Sequence, residues 1–181
     1  NKDNKQKRVQ ALGNVFANLY VGDFTFKTSF GLDYQNYNIR SFSPTYDEIL
    51  STNNTNSLST SNSFNYQFSF TNTLNYKKQF GKHHLDAILG QESIEYNYEG
   101  FSASVSEFLY EDLNFRYLSF GTENMLNSGS ANGWSLNSYF GRVNYNFDEK
   151  YLFTATVRRD GSSRFSEDNR WGTFPAFSLG W

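Results

Sequence analysis

The sequence predicts an all-β fold of antiparallel strands, and three observations lead to this prediction. Apolar and polar residues alternate with a period of two over several stretches, as they do on a strand that has one apolar face. Short turns and long polar segments follow one another regularly along the chain. Aromatic residues make up 19% of the 181 residues, with 19 Phe and 13 Tyr, and these residue types favour strands over helices.

The first part of the chain predicts a hairpin followed by a long loop. Residues 1–8 are polar and basic, so we expect them to be a lead-in. A soft alternation over residues 9–20 predicts the first strand, which ends at the tight turn Val21–Asp23. Residues 35–63 are rich in Asn, Ser and Thr and predict a long loop. The strand before this loop has a clear apolar face, formed by Phe24, Phe26, Phe30, Leu32 and Tyr34.

The middle of the chain predicts a second hairpin with a longer strand. Phe, Tyr and Leu alternate with polar residues from Phe64 to Lys77, which exceeds the usual length of a strand in a globular domain. A short turn at Phe80–His83 leads into a strand that continues to about Tyr98. Residues 99–135 predict a second long loop, in which the aromatic segment Phe108–Phe120 folds locally as a short helix or a strand pair.

The last part of the chain predicts a third hairpin and one further strand. A strand over residues 139–147 ends at the tight turn Asp148–Lys150, and the next strand begins at Tyr151. Residues 159–171 then form a polar loop in which Asp160 and Gly161 are expected to make a turn. The final strand has Phe177, Leu179 and Trp181 on one face.

This order of elements predicts an antiparallel transmembrane β-barrel segment. Consecutive antiparallel strands place every short turn at one end of the sheet and every long loop at the other, which is typical of outer-membrane barrels. Aromatic residues near both ends of the apolar faces resemble the two interfacial girdles of such barrels. About seven strands are too few to close a barrel in lipid, so we expect the chain to be part of a larger one.

Two alternatives remain open from the residues alone. A soluble carbohydrate-binding β-sandwich also has aromatic apolar faces, but a second sheet would cover them. An outer-membrane adhesin or enzyme would share the barrel, and an enzyme would need a catalytic constellation on its loops. The sequence contains no Gly-x-Ser-x-Gly motif and no evident Ser/His/Asp arrangement, so we expect no catalysed reaction.

Composition excludes several other classes of protein and site. A net charge of −2 without a basic stripe argues against nucleic acid as a partner. The chain has no cysteine, which excludes disulfides and thiolate metal sites. No apolar run approaches the roughly 18 residues of a transmembrane helix. We therefore expect neither a cofactor nor a resident metal.

Three polar clusters are candidate sites. His83 and His84 are adjacent, so on a strand they point to opposite faces and do not share a metal. An acidic loop cluster lacks the spacing of a calcium-binding loop and is expected to be a solvated patch; it contains Glu107, Glu111 and Asp112. The densest group has two interpretations, contact with a ligand at a pore mouth or ion pairs inside a polar lumen. Its ligand candidates are Arg158, Asp160 and Arg164.

The stretch from Tyr151 to Trp181 also carries a family resemblance. The segment RRDGSSRF followed by NRWGTFPAFSLGW resembles the barrel signature of the SusC/RagA-type TonB-dependent outer-membrane transporters. Ser166 departs from the glycine that relatives often carry after the Arg-Phe pair, which puts the exact turn in doubt. Weaker similarity is found in GNVFANLY, LNYKKQFGKHHLDAILGQE and SYFGRVNYNFDEKYLFTATVR.

This resemblance implies a location, an activity and partners. It implies that residues 1–181 are part of a barrel of roughly 22 strands in the bacterial outer membrane. It further implies import of oligosaccharides or peptides beneath a SusD-type surface lipoprotein. TonB would act through an amino-terminal part and a plug domain that this sequence does not contain.

Overall fold

The computed structural model describes residues 3–181 and shows a chain built mainly of strands. Three single-turn 3₁₀ helices, Leu113–Phe115, Leu118–Phe120 and Glu167–Asn169, lie between strands. Within residues 3–181, no helix is long and apolar enough to cross a membrane. In chain order the strands are β1 (Asp3–Val21), β2 (Phe24–Ser43), β3 (Tyr46–Glu48), β4 (Ser51–Asn53), β5 (Ser57–Phe80), β6 (His83–Phe108), β7 (Gly121–Phe147), β8 (Tyr151–Ser162) and β9 (Trp171–Gly180).

Seven of these strands form one sheet in the order β1-β2-β5-β6-β7-β8-β9, while β3 and β4 form a separate hairpin. Apart from the inserted β3–β4 hairpin, each strand of the large sheet therefore pairs with the strands next to it in the sequence. Strand β8 pairs in antiparallel register with β7 on one side and with β9 on the other. The predicted antiparallel meander and its seven strands are confirmed.

The three short turns lie where the sequence predicts them, and glycine conformation defines two of them. Gly22 and Gly81 have positive φ angles of 57° and 60° and occupy the first position of two-residue turns. That placement is typical of type II′ hairpin turns, whose twist matches that of the flanking strands. An ion pair between Asp23 and Lys78 connects the first turn to β5. A second one, at 2.7 Å between Lys82 and Asp148, connects the second turn to the third.

The predicted bounds of the long loops and of the lead-in are wrong. The connections between sheet strands are shorter, at residues 44–56, 109–120 and 163–170, and the first of them contains β3 and β4. Asp3–Arg8 belong to β1, while residues 1 and 2 lie outside the described residues. The reason is physical: backbone pairing holds these strand ends, and polar side chains on both faces hide the period of two on which the prediction relied.

The chain divides into two compact units. The first contains the described residues up to Ala11, Tyr34–Tyr66 and Asn97–Asn132. The second contains Leu12–Asp33, Gln67–Tyr96 and Gly133–Trp181.

The first unit contains a small hydrophobic core of Phe42, Leu58, Val105 and Phe108. The rings of Phe42 and Phe108 meet edge to face at 5.4 Å between centroids. In a regular strand Val105 and Phe108 would point to opposite faces, but Glu107 has a φ of 59° and marks a bulge between them. The bulge accounts for the presence of both side chains in one cluster.

Within the first unit, Asn56 and Glu111 join the connection from β6 to β7 to the connection from β2 to β5. The Asn56 amide donates to the carbonyl of Phe108 at 3.0 Å and accepts from its N–H at 2.6 Å. Glu111 accepts from the Thr45 N–H at 2.7 Å, the Thr45 hydroxyl at 2.9 Å and the Asn56 amide at 2.9 Å. Partial burial alone would raise the pKa of Glu111, but these hydrogen bonds and the charge of Arg116 outweigh it and lower the pKa.

The second unit leaves the apolar face of its strands uncovered. Phe68 and Phe70 on β5 are 36% and 45% exposed, so no second layer of residues 3–181 buries them. Aromatic side chains on this face contact one another within the sheet, as in the pairs Phe30–Phe68 at 5.7 Å and Phe24–Tyr76 at 4.7 Å. A β-sandwich would have buried this face against another sheet, so the structure does not support that alternative.

The small core predicts a sharp difference between two aliphatic truncations. Leu58→Ala removes a side chain that is 2% exposed and should lower the free energy of unfolding by about 2–5 kcal/mol. Ile49→Ala, at the fully exposed tip of the β3–β4 hairpin, should change it by less than about 0.5 kcal/mol. Guanidinium unfolding of the folded protein measures both values, and equal effects would contradict this assignment of the core.

Acidification should remove the stabilising contribution of Glu111. Because its folded pKa lies below the unfolded value, the ionised carboxylate stabilises the fold above about pH 4.5. That contribution is lost as the pH falls through the folded pKa. The difference in free energy of unfolding between wild type and Glu111→Gln should therefore be larger near about pH 6 than near about pH 3. A difference that stays constant over this range would show that the charge of Glu111 is not involved.

Candidate functional site

The side chains of strand β8 alternate between two chemically different faces of the sheet in the second unit. Its partners in register are Tyr139 for Arg159 and Phe140 for Arg158 on β7, and Thr173 and Phe174 on β9. The apolar face of β8 carries Tyr151, Phe153, Ala155, Val157 and Arg159, and the polar face carries Leu152, Thr154, Thr156, Arg158 and Asp160. Two adjacent arginines therefore point in opposite directions.

Arg158 is the centre of an ion network on the polar face. Its guanidinium donates to Asp160 at 2.7 Å, to Glu92 at 3.1 Å and to the Ser138 hydroxyl at 2.9 Å. Ser138 is fully buried, and Arg158 also lies 5.7 Å from the centre of the Phe140 ring. Charge-assisted bonds of this kind fix side-chain geometry. Arg158 thus pairs with Asp160 on its own strand and with Glu92 on β6, two strands away in the sheet.

Asp160 and Gly161 lie within β8 and do not form the predicted turn. Gly161 pairs with Trp171 on β9, and a Cβ at Gly161 would lie within 2.8 Å of the indole ring. Glycine is thus required by the close approach of an aromatic ring, so the turn prediction, which relied on the Asp-Gly pair, is wrong.

Arg164 follows β8 and forms a stacked arrangement on the polar face. Its guanidinium lies 5.1 Å from the centre of the Trp134 ring, which stacks on Tyr96 at 5.7 Å. Two bonds between Ser163 and Ser135, at 2.9 and 2.8 Å, hold the connection beside β7. No carboxylate of residues 3–181 forms an ion pair with Arg164.

Sequence reasoning missed several residues of this site. Glu92, Tyr96, Trp134 and Ser138 lie on β6 and β7, far from the Arg-Asp-Gly motif in the chain. If the alternation of side chains had been extended along β7 and β7 aligned with β8, Trp134 and Ser138 would have been placed on the polar face with Arg158. The positions of Glu92 and Tyr96 on β6 depend on how β6 pairs with β7 and β7 with β8, and no local sequence pattern indicates this.

One side chain from each of the other two candidate clusters, His83 and Glu111, makes contacts within the protein. His83 shares a 2.6 Å hydrogen bond with the Tyr145 hydroxyl, stacks on Phe80 at 5.3 Å between ring centres, and meets Phe147 at a tilt at 4.9 Å. Glu111 takes part in the loop hydrogen bonds described above. Within residues 3–181, no group of three or more acidic or His side chains has the geometry to hold a metal ion.

A groove of about 630 Å³ lies on the polar face beside the short turns. Lys77 and Asp86 pair at 3.2 Å across β5 and β6 at its wall. The side-chain oxygen of Asn146 is buried in the same groove and has no hydrogen-bond partner among the described residues.

Comparisons with known proteins agree with this architecture. A scan against protein-family models gives no match. TonB-dependent receptor P39 of Formosa agariphila is 34% identical over 181 residues, covering 99% of this chain and 17% of that protein. TonB-dependent receptor P3 of the same organism is 36% identical over 167 residues, covering 90% of this chain and 16% of the receptor. The chain thus spans about a sixth of the length of these curated relatives.

Two further relatives connect the chain to named transporters. TonB-dependent receptor SusC of Bacteroides thetaiotaomicron is 38% identical over 123 residues, covering 65% of this chain and 11% of SusC. In the solved structure of the RagAB peptide transporter, the matched chain superposes with a TM-score of 0.88 and 28% identity, over 97% of this chain and 20% of that one. Similarity of sequence and of fold therefore agree, and the chain belongs to the SusC/RagA-type family of TonB-dependent receptors as a segment of their antiparallel β-barrel.

Proposed function

We propose that this chain is a wall segment of an outer-membrane TonB-dependent importer. The observation that carries the proposal is the division of the sheet in the second unit into an uncovered apolar face and a polar face with an ion network. Lipid covers the first kind of face and a water-filled lumen faces the second in outer-membrane barrels. The up-and-down order of the strands and the two edge strands, β1 and β9, each paired on one side only within residues 3–181, fit a sheet that continues into a larger barrel.

The segment takes a passive part in transport. Its strands form wall, the residues that follow β8 lie at the mouth of the passage, and no reaction is catalysed. A separate plug domain and an amino-terminal contact with TonB supply the energy coupling, and a SusD-type surface lipoprotein covers the mouth. The SusC and RagAB relatives support this arrangement by similarity.

The substrate is a peptide or an oligosaccharide, and the polar face favours the peptide. Arg164 on Trp134 offers guanidinium donors beside a flat aromatic surface, which suits a carboxylate next to an apolar side chain. Arg158 is already paired with two carboxylates, Glu92 and Asp160. This group of three side chains has a net negative charge, which suits a cationic group of a peptide. Both sites lie on the polar face of the second unit. The peptide transporter RagAB supports this choice by similarity.

Membrane fractionation tests the proposed location. In the source bacterium, the protein that carries this chain should remain in the outer-membrane fraction after carbonate and high-salt washes and be released by detergent. The reason is the uncovered apolar face, which needs hydrocarbon contact. Recovery in the aqueous fraction would contradict the proposal.

Peptide binding tests the proposed role of Arg164. Arg164→Gln should weaken binding of a peptide with a free terminal carboxylate by roughly tenfold, because a charge-assisted hydrogen bond is lost. Binding of the same peptide with an amidated terminus should change little. Calorimetry on the purified full-length transporter measures both.

Lys150→Gln is the matched control, since Lys150 lies in the short turn before β8 and not on the polar face near Arg164. Equal losses for the free and amidated peptides in Arg164→Gln would rule out a carboxylate contact. Unchanged binding of both would remove Arg164 from the substrate path.

A further inference from the structure

The apolar face of β8 ends in an unpaired cation. Arg159 points away from Arg158 and packs on Trp171, with its guanidinium carbon 5.1 Å from the ring centre. Trp171 stacks in turn on Tyr139 at 6.0 Å. No ion pair involves Arg159 among residues 3–181, whereas Arg158, one residue earlier, pairs with two carboxylates.

We propose that Arg159, Trp171 and Tyr139 form a binding site for the phosphate group of an outer-leaflet glycolipid. These three residues are called the Arg159 site below. The proposal rests on the proposed function, because it needs the apolar face to lie in the outer membrane.

The position of the Arg159 site along the strand matches one boundary of a membrane. Tyr151 and Phe147 pair beside the short turn, and eight residues later Arg159 pairs with Tyr139. Eight strand steps span roughly 27 Å, and the usual tilt of 35–45° reduces this to roughly 20 Å across the membrane. An outer-membrane barrel has an apolar band of about 25 Å. Between the two ends, β8 presents Phe153, Ala155 and Val157 on this face.

Both ends of this apolar stripe carry aromatic side chains. Phe147 stacks on Tyr151 at 6.3 Å at the short-turn end, and Tyr139 stacks on Trp171 at the other end. Aromatic belts of this kind lie at the level of lipid headgroups. Because short turns face the periplasm and long loops face outward, the Arg159 site lies at the outer leaflet.

An unpaired guanidinium at the edge of hydrocarbon requires an anionic or polar partner. A phosphate is the anion that lipid headgroups supply at this depth, and its oxygens match the fork of guanidinium donors. The Trp171 ring is held between Gly161, on which it lies, and Tyr139. The cation therefore rests on a fixed aromatic platform and does not have to be ordered on binding.

Lipid retention by the full-length transporter tests the Arg159 site. The protein is extracted from its outer membrane in mild detergent and incubated with phosphorylated lipid A, and the bound lipid is counted by native mass spectrometry. Arg159→Gln should reduce bound lipid on the order of tenfold, because a charge-assisted hydrogen bond is lost. Arg159→Lys keeps the charge but not the fork and should show a smaller loss.

Lys150→Gln is the matched control on the same hairpin. Lys150 lies 5.7 Å from the centre of the Tyr151 ring, so the substitution also removes one cation beside an aromatic side chain, but at the short-turn end. It should leave retention of phosphorylated lipid A unchanged. Dephosphorylated lipid A should bind wild type as weakly as phosphorylated lipid A binds Arg159→Gln.

The possible outcomes separate this inference from the proposed function. Lipid retention that is equal in wild type, Arg159→Gln and Arg159→Lys would overturn the site while leaving an outer-membrane transporter intact. Equal retention of phosphorylated and dephosphorylated lipid would also overturn it. Inorganic phosphate that binds alone with the same dependence on Arg159 would overturn the assignment to a lipid. A protein absent from the outer membrane would overturn both proposals.

Discussion

The structure depends on contact between the apolar face of the sheet and something other than this chain. Four hydrophobic side chains are buried among residues 3–181, all in one cluster of the first unit. A soluble domain gains most of its stability from burying such side chains in a shared core. Here the rings and aliphatic groups of β5, β8 and β9 stay exposed, as Phe70, Val157 and Phe177 illustrate. In the proposed barrel, lipid takes the place of a second layer.

That constraint explains why the sheet can tolerate so many polar side chains. With lipid on one face and water on the other, a strand needs apolar residues only at every second position and only over the width of the hydrocarbon. Backbone hydrogen bonds between strands hold the rest of each long strand, as in β6 and β7, which have 26 and 27 residues. A spanning strand needs only about 9–11 residues. The low apolar share of the composition, 38%, is a consequence of this geometry.

Arg158 and Arg159 show the same constraint at the scale of single residues. On the polar face Arg158 is held by Glu92, Asp160 and Ser138, so its charge is balanced by protein. On the apolar face Arg159 has an aromatic platform and no carboxylate among the described residues. Two residues adjacent in the chain thus lie on faces of different polarity, and their partners differ accordingly.

The sequence by itself determined the strand type, the seven strands of the sheet, the short turns and the family, because these depend on local alternation, turn residues and a contiguous motif. It did not determine where β2 and β6 end or where β7 begins, since polar side chains on both faces remove the periodic signal. Only the tertiary structure decided that Glu92 and Ser138 hold Arg158, that Trp134 supports Arg164, and that Gly161 receives Trp171. Those contacts join residues that the chain separates by up to 66 positions, and only strand register brings them together.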